Sequence, residues 1–202
     1  MSDGPPPLPL IAPPDWLTAL SGPAVGTGGS GAPGSAGNPL TLDQANQLFA
    51  DLANQGHIPF NWPRDGCFAR AHEMRRLLAE RGIESRKAWN YASAGAELKV
   101  EGTSIGDVTW GWHVAPTVMV QGSNGPQAMV IDPSMFDHPV TPQEWAAAQG
   151  DPNSALEDSD GALYFRNQGE AWSETDDSYT QTAQDLDYYR TQRELWDAGL
   201  IP

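Results

Sequence analysis

The chain has 202 residues and a formal net charge of −15, from 26 acidic and 11 basic side chains. Clustered Lys and Arg bind nucleic-acid backbones and anionic membrane surfaces, so this charge argues against both as partners. The single cysteine excludes an internal disulfide framework and a cysteine-based zinc cluster, and no apolar run reaches the roughly 18 residues of a membrane span. We therefore expect a soluble protein whose 39% apolar residues, with eight tryptophans, fill one hydrophobic core.

Residues 1–40 are rich in proline and glycine, and such sequence buries too little apolar surface to offset the entropy lost on ordering. We predict a disordered linker or tail there, followed by one folded domain over residues 41–202. The first residues lack the positive region and unbroken apolar core of a secretory signal. The protein is therefore expected either in the cytoplasm or, as an effector, outside the cell after export by a route other than the Sec pathway.

Two helices open the predicted domain. The first covers residues 41–55, where a capping box precedes apolar residues at helical spacing. The second begins at Cys67, directly after Gly66, and Asp65 is expected to cap it. Cys67 thus lies in a first turn, where free backbone N–H groups and the helix dipole favour a thiolate and can hold an oxyanion. A lone cysteine also serves as a small buried hydrophobe, and on Cys67 alone that alternative stays open.

A predicted strand carries the best-placed histidine. Residues 108–114 alternate between large apolar side chains and small or polar ones. Because successive side chains of a strand point to opposite faces, Trp110 and Trp112 are predicted on one face and His113 on the other.

The chain then turns at residues 123–125 and returns as an apolar strand, residues 128–131, which ends at Asp132. This hairpin has a histidine on its first strand and a carboxylate at the end of its second. The remaining predicted elements are a strand at 85–91, a loop at 92–106, a short helix at 141–148, a surface loop at 151–161, a strand at 162–165 and a helix at 182–196.

A cysteine nucleophile needs a base and a group that orients the base, and the three need be adjacent only in space. Cys67, His113 and Asp132 supply these types, and their order on helix, strand and strand is that of papain-like cysteine hydrolases. The other histidines are expected in capping, surface or exposed loop positions: His57, His72 and His138. Three tryptophans are interpreted either as walls of a substrate groove or as core residues: Trp62, Trp110 and Trp112.

Three blocks of the sequence resemble the bacterial protein-glutaminase family. They are residues 65–75, residues 110–115, and residues 130–136 with 139–141 and Trp145 after them. This resemblance implies an α+β fold like those of papain and transglutaminase, with N-terminal helices packed on an antiparallel sheet. It also implies a cysteine-dependent amidohydrolase that deamidates glutamine side chains of intact proteins without a metal or cofactor.

Carried over by position, the resemblance makes Cys67 the nucleophile, His113 the base and acid, and Asp132 the orienting group. The expected partner is a protein that presents a glutamine, with neutral or basic substrates preferred because the enzyme is acidic. The alternatives are a transglutaminase or cysteine protease of the same fold, or a binding module without turnover.

Overall fold

The computed structural model describes residues 38–202, so the predicted linker, apart from its last three residues, lies outside the described part of the chain. Leu40 is buried and belongs to the folded part, since its N–H donates to Met119 O at 2.9 Å and its carbonyl accepts from Gln121 N–H at 2.7 Å. No helix in residues 38–202 has the length and apolar character needed to cross a membrane.

The described residues form α-helices at four places: α1 (Leu42–Ala53), α2 (Cys67–Glu80), α3 (Pro142–Ala147) and α4 (Thr180–Asp197). Helices α1 and α3 begin with complete capping boxes. In each, the threonine before the helix, Thr41 or Thr141, exchanges hydrogen bonds with the third helical residue. Both helices therefore begin where the sequence pattern predicts.

The strands are β1 (Arg86–Tyr91), β2 (Leu98–Thr103), β3 (Gly106–Trp110), β4 (Trp112–Gly122), β5 (Gly125–Val130), β6 (Ala155–Asp160), β7 (Leu163–Arg166) and β8 (Ser173–Thr175). Four of them form one antiparallel sheet in the order β5-β4-β1-β6, while β2 pairs with β3 and β7 with β8. Helix α2 packs against β4 and α4. The predicted α+β fold, with helices on an antiparallel sheet, is confirmed.

A buried cluster joins the start of α2 to the sheet. Cys67 and Ala71 of the helix pack with Trp89, Tyr91 and Val114 of strands β1 and β4. This contact sets the first turn of α2 over the centre of the sheet, and the predicted hairpin of β4 and β5 lies beside it, with Gly122 paired to Gly125 across the turn.

Two predicted loops are wrong in part, because each contains a strand. Strand β2 lies within the predicted loop 92–106 and pairs with β3. Strand β6 lies within the predicted loop 151–161 and is the edge of the main sheet. Its acidic sequence looks like a solvent-exposed loop, but an edge strand with one solvent-facing side tolerates charge.

A lysine is buried at the centre of the sheet. Lys87 of β1 is fully buried, and its Nζ donates to Leu163 O at 2.6 Å and to His72 Nδ1 at 3.1 Å. Burial lowers the pKa of Lys87 to about 7, and the charge of Arg75 acts in the same direction. Burial and then the charge of Lys87 lower the pKa of His72 to about 4.

We expect this lysine to make stability depend on pH. Because its pKa in the folded state lies below the ordinary value of 10.5, the folded protein binds fewer protons between pH 7 and 10, and stability is lost as the pH falls through that window. The unfolding free energy of the wild type should rise by about 4 kcal/mol relative to that of Lys87→Met between pH 7 and pH 10. Urea unfolding of both proteins across this range measures the difference.

Lys99→Met is the matched control, because Lys99 is exposed and its pKa is raised by hydrogen bonds to Glu101 and Asp107. Its unfolding free energy should follow the wild type over the same pH range. Parallel curves for the wild type and Lys87→Met would contradict the prediction.

Candidate active site

Helix α2 begins from an unusual backbone turn. Gly66, the residue before the helix, has φ 80° and ψ 15°, in the left-handed region that glycine adopts without steric cost. The ring of Tyr189 occupies the space that a side chain at this position would fill. Cys67 follows as the first helical residue, buried and with a free thiol.

The predicted cap by Asp65 is wrong. Its Oδ1 accepts a hydrogen bond from Gly66 N–H at 2.6 Å, and no side chain caps α2. Since Gly66 itself occupies the capping position, Asp65 lies one residue too early to reach the N–H groups inside the helix. The backbone donors of Cys67, Phe68 and Ala69 therefore have no intrahelical partner and no side-chain cap.

His113 and Asp132 form a buried pair. His113 Nε2 donates to Asp132 Oδ2 at 2.8 Å, and both residues are almost fully buried. Strand β4 supplies the histidine, and the carboxylate follows the end of β5, the neighbouring strand.

Further donors hold the Asp132 carboxylate. Trp145 Nε1 donates to Oδ2 at 2.8 Å, and Ser134 donates to Oδ1 from its N–H at 3.2 Å and from its hydroxyl at 2.5 Å. Both carboxylate oxygens are thus satisfied, and Asp132 can neither rotate nor leave the histidine without losing these bonds.

Two tryptophan rings enclose His113. The ring of Trp110 stacks on it at 4.6 Å and 9°, and the ring of Trp145 lies on it at 5.3 Å and 26°. The prediction that His113 points away from Trp110 is wrong, because the predicted single strand is interrupted at Gly111. Trp110 ends β3 and Trp112 begins β4, so the alternating segment spans two strands of different sheets.

The buried pair is charged at neutral pH. Burial lowers the pKa of His113, but the charge of Asp132 and its hydrogen bond outweigh burial and, with Cys67, raise the pKa to about 9. Burial raises the pKa of Asp132, and the charge of His113 with hydrogen bonds from His113, Ser134 and Trp145 lowers it to about 2. His113 is therefore an imidazolium next to a carboxylate.

The second ring nitrogen of His113 is not used by Asp132, which bonds to Nε2. Nδ1 is buried and makes no hydrogen bond of regular geometry with any residue in 38–202. Cys67 nevertheless raises the pKa of His113 through hydrogen bonding and charge, so its sulfur lies close to the ring. Such a pair is often imperfectly aligned without substrate. The structure thus brings Cys67, His113 and Asp132 together.

The three tryptophans interpreted as groove walls or core residues lie in different environments. Trp62 is buried against Trp196 and also lines an open cavity of about 380 Å³ beside Asp65 and Tyr189. Trp112 is half-buried between Phe68 and Phe165. Trp110 is buried, and its Nε1 donates to Pro63 O at 2.9 Å, so it ties the segment before Cys67 to the strand before His113.

The remaining histidines lie outside the group. His72 is fully buried, so the predicted surface or capping position is wrong, and its Nε2 donates to Asp176 O at 3.2 Å. His57 is half-buried and pairs with Glu73, which corrects its predicted exposed position. His138 is exposed, as predicted. No group of three or more His, Cys, Asp or Glu side chains in residues 38–202 is arranged to hold a metal ion.

Sequence reasoning missed two groups at the site. Ser134 and Trp145 hold Asp132 by hydrogen bonds, which become visible only in the folded structure. The sequence does place both near Asp132, since Ser134 follows it by two residues and Trp145 lies in the next helix.

A thiol at a helix start beside a hydrogen-bonded imidazole and carboxylate is the arrangement of cysteine hydrolases. A family model described as glutaminase matches residues 45–149, just over half of the chain and all of the site. The chain therefore belongs to the glutaminase family and is an amidohydrolase. The predicted enzyme class and family are confirmed.

Solved structures agree with this assignment. A crystal structure of protein-glutaminase has 26% identity and a TM-score of 0.65, with 76% of this chain and 89% of that chain covered. An NMR structure of protein-glutaminase from Chryseobacterium proteolyticum has 28% identity and a TM-score of 0.67 over the same shares. A crystal structure of pro-protein-glutaminase has 26% identity and a TM-score of 0.66, covering 81% of this chain and 63% of that one. A search of curated proteins gives no match.

The contact from Trp145 to Asp132 predicts a kinetic effect. Trp145→Phe keeps a ring against His113 but removes the Nε1 donor to a buried carboxylate. We expect kcat to fall by about tenfold, because a hydrogen bond to a charged group contributes roughly 1.5 kcal/mol or more. Ammonia release measures kcat, and Trp172→Phe, on an exposed side chain, is the control. An unchanged kcat in Trp145→Phe would show that the hydrogen bond from Trp145 to Asp132 does not contribute to turnover.

Proposed function

We propose that this enzyme deamidates glutamine side chains of proteins to glutamate, with Cys67 as nucleophile, His113 as general acid and base, and Asp132 as the orienting group. The observation that carries the proposal is the buried His113–Asp132 ion pair next to a thiol at a helix start, in a chain of the glutaminase family. The similar solved structures are protein-glutaminases, which supports a protein rather than free glutamine as the substrate.

The first half of the reaction releases ammonia. The Cys67 thiolate attacks the carbon of the glutamine side-chain amide, and the carbonyl oxygen takes the negative charge. We assign the stabilisation of this charge to the free backbone N–H groups in the first turn of α2, and each such donor contributes about 3 kcal/mol in comparable acyl-transfer sites. The His113 imidazolium then gives its proton to the leaving nitrogen, so that the C–N bond breaks, ammonia departs and a thioester remains.

The second half releases glutamate. Neutral His113 removes a proton from a water molecule, which attacks the thioester carbon. The C–S bond breaks, the thiolate returns to its place beside the imidazolium, and the side chain leaves as a carboxylic acid. One water is consumed and one ammonia is formed, with no metal or cofactor in the proposed mechanism.

Substrate contacts are proposed at two tryptophans, one buried in the wall of an open cavity and one half-buried at the surface. Trp62 lines the cavity beside Asp65, and Trp112 is partly exposed near Phe68, the residue after Cys67. We assign these two side chains to substrate binding. Trp110 instead positions His113, because its ring stacks on the imidazole. The net charge of −15 should favour neutral or basic protein substrates over acidic ones.

The test is ammonia release from a glutamine-containing model protein, combined with mass spectrometry of the product. The wild type should release ammonia and add about 1 Da at glutamine positions, and Cys67→Ala should do neither. Peptide cleavage would indicate a protease, and incorporation of an added amine would indicate a transglutaminase. If neither protein releases ammonia from any substrate, and Cys67 of the wild type does not react with iodoacetamide at neutral pH, the result would support a binding module instead.

A further inference from the structure

A buried arginine lies in helix α2 beside the reactive group and has no part in the steps above. Arg70 is 2% exposed and lies three residues after Cys67, on the same face of the helix. Its Nη1 donates to Trp62 O at 2.9 Å and to Asp65 O at 2.6 Å. Both carbonyl groups belong to the segment that enters the Gly66 turn, so the guanidinium ties this segment to the helix that follows it.

The other end of the guanidinium has no hydrogen-bond partner. Nη2 of Arg70 is buried, and no acceptor in residues 38–202 bonds to it. Burial lowers the pKa of Arg70, while the charges of Cys67 and then Asp132 raise it. A guanidinium stays protonated even when buried, and a buried cation is stable only near compensating negative charge. Cys67, when ionised, and then Asp132 are the groups whose negative charge compensates Arg70 most strongly.

We propose that Arg70 is a positioning residue: its two hydrogen bonds fix the turn that presents Cys67, and its guanidinium places a positive charge beside the sulfur. This inference rests on the proposed function for its effect on turnover. The same turn sets the direction of the free N–H groups at the start of α2, so a loose turn would misplace the nucleophile and the oxyanion donors together. A misplacement of about 1 Å is enough to lower a rate by about a hundredfold.

Other titratable groups also act on the thiolate. They come from three elements: His113 from β4, Lys87 from β1 and Tyr189 from α4, and Asp132 acts through its bond to His113. Because all of these remain in a variant at position 70, any change in the pH profile of the thiol reports on Arg70.

The experiment compares Arg70→Met, which removes the charge, with Arg70→Lys, which keeps it but cannot bond both carbonyl groups in the same way. Arg76→Met is the matched control. Arg76 lies on the same helix but pairs with Glu73 and Glu80 and is partly exposed. For each variant we would measure thermal unfolding, kcat and KM on an N-acylated glutamine peptide, and the rate of Cys67 alkylation by iodoacetamide from pH 5 to 10.

In Arg70→Met, kcat should fall by about a hundredfold with little change in KM. Alkylation at neutral pH should slow by about tenfold and recover at alkaline pH, as expected when a partly screened charge is removed. Arg70→Lys should restore alkylation at neutral pH but only part of kcat, and Arg76→Met should match the wild type. Alkylation does not depend on the substrate, so it tests Arg70 even if no glutamine is deamidated.

The proposal is overturned if folded Arg70→Met has the alkylation profile of the wild type, or if its kcat falls only in proportion to the unfolded fraction. It is also overturned if neither Arg70 variant folds, because Arg70 would then serve stability alone.

Discussion

Replacing Asp132 by asparagine is expected to lower kcat by about a thousandfold or more while the protein still folds. The carboxylate keeps His113 charged, because burial alone would lower the pKa of this histidine. An amide removes the charge, so the imidazolium of His113 should give way to a neutral ring. The measurement is kcat for ammonia release together with the rate of Cys67 alkylation at neutral pH.

The hydrogen bonds of Asp132 explain why asparagine cannot replace it. Its two oxygens accept from His113, Trp145 and both donors of Ser134. An asparagine has one oxygen and one NH2 group, so one of the two donor sets must face another donor. If the NH2 group faces His113, the ring is held in the wrong tautomer. Asp137→Asn is the control, because Asp137 is exposed and bonds only to neighbouring His138 among the described residues.

The same variant should change how stability depends on pH. The pKa of His113 in the folded wild type, about 9, lies above the ordinary 6.5, so its contribution is complete below pH 6.5 and is lost as the pH rises toward 9. The unfolding free energy of the wild type should fall by about 3 kcal/mol relative to that of Asp132→Asn across this window. If the unfolding free energies of the two proteins depend equally on pH and kcat falls less than tenfold, His113 and Asp132 do not form a charged pair at neutral pH.

Local signals were sufficient to predict the positions of Cys67, His113 and Asp132 on their elements. Gly66 and the helical spacing after it place Cys67 in a first turn, and the hairpin pattern places His113 on a strand with Asp132 at the end of the next. These signals depend on turn chemistry and on periods of 3.6 and 2 residues, which act over a few neighbours. The backbone thus determines where each group lies, and the pairing of β4 with β5 brings two of them together.

The surroundings of those residues could not be predicted in the same way. An alternating pattern does not show that Gly111 divides it between two sheets, so the stacking of Trp110 on His113 was missed. Arg70 and Lys87 are both buried, against the strong tendency of these residue types to be exposed. Only the packing of α2 on the sheet shows that both lie close enough to Cys67 to interact with its charge.

Replacing Gly66 by alanine is expected to lower both stability and activity. The left-handed conformation costs a residue with a Cβ roughly 1 kcal/mol, and the new Cβ would lie 2.4 Å from Cδ2 of Tyr189, so that ring must move. Overpacking of this kind costs about 1 to 3 kcal/mol more, which gives a total loss of about 3 kcal/mol in unfolding free energy. Because the ring presses on the turn that presents Cys67, kcat should fall by about a hundredfold.

Two further variants separate backbone strain from the clash at Gly66. Gly82 follows the other end of the same helix at φ 70°, and nothing lies within 4 Å of the position a Cβ would take. Gly82→Ala should therefore cost only about 1 kcal/mol and leave kcat unchanged. In a Tyr189→Ala background, Gly66→Ala should likewise cost about 1 kcal/mol, since no ring opposes the new side chain. If Gly66→Ala costs no more than Gly82→Ala and keeps full kcat, the contact between Tyr189 and the turn does not control the position of Cys67.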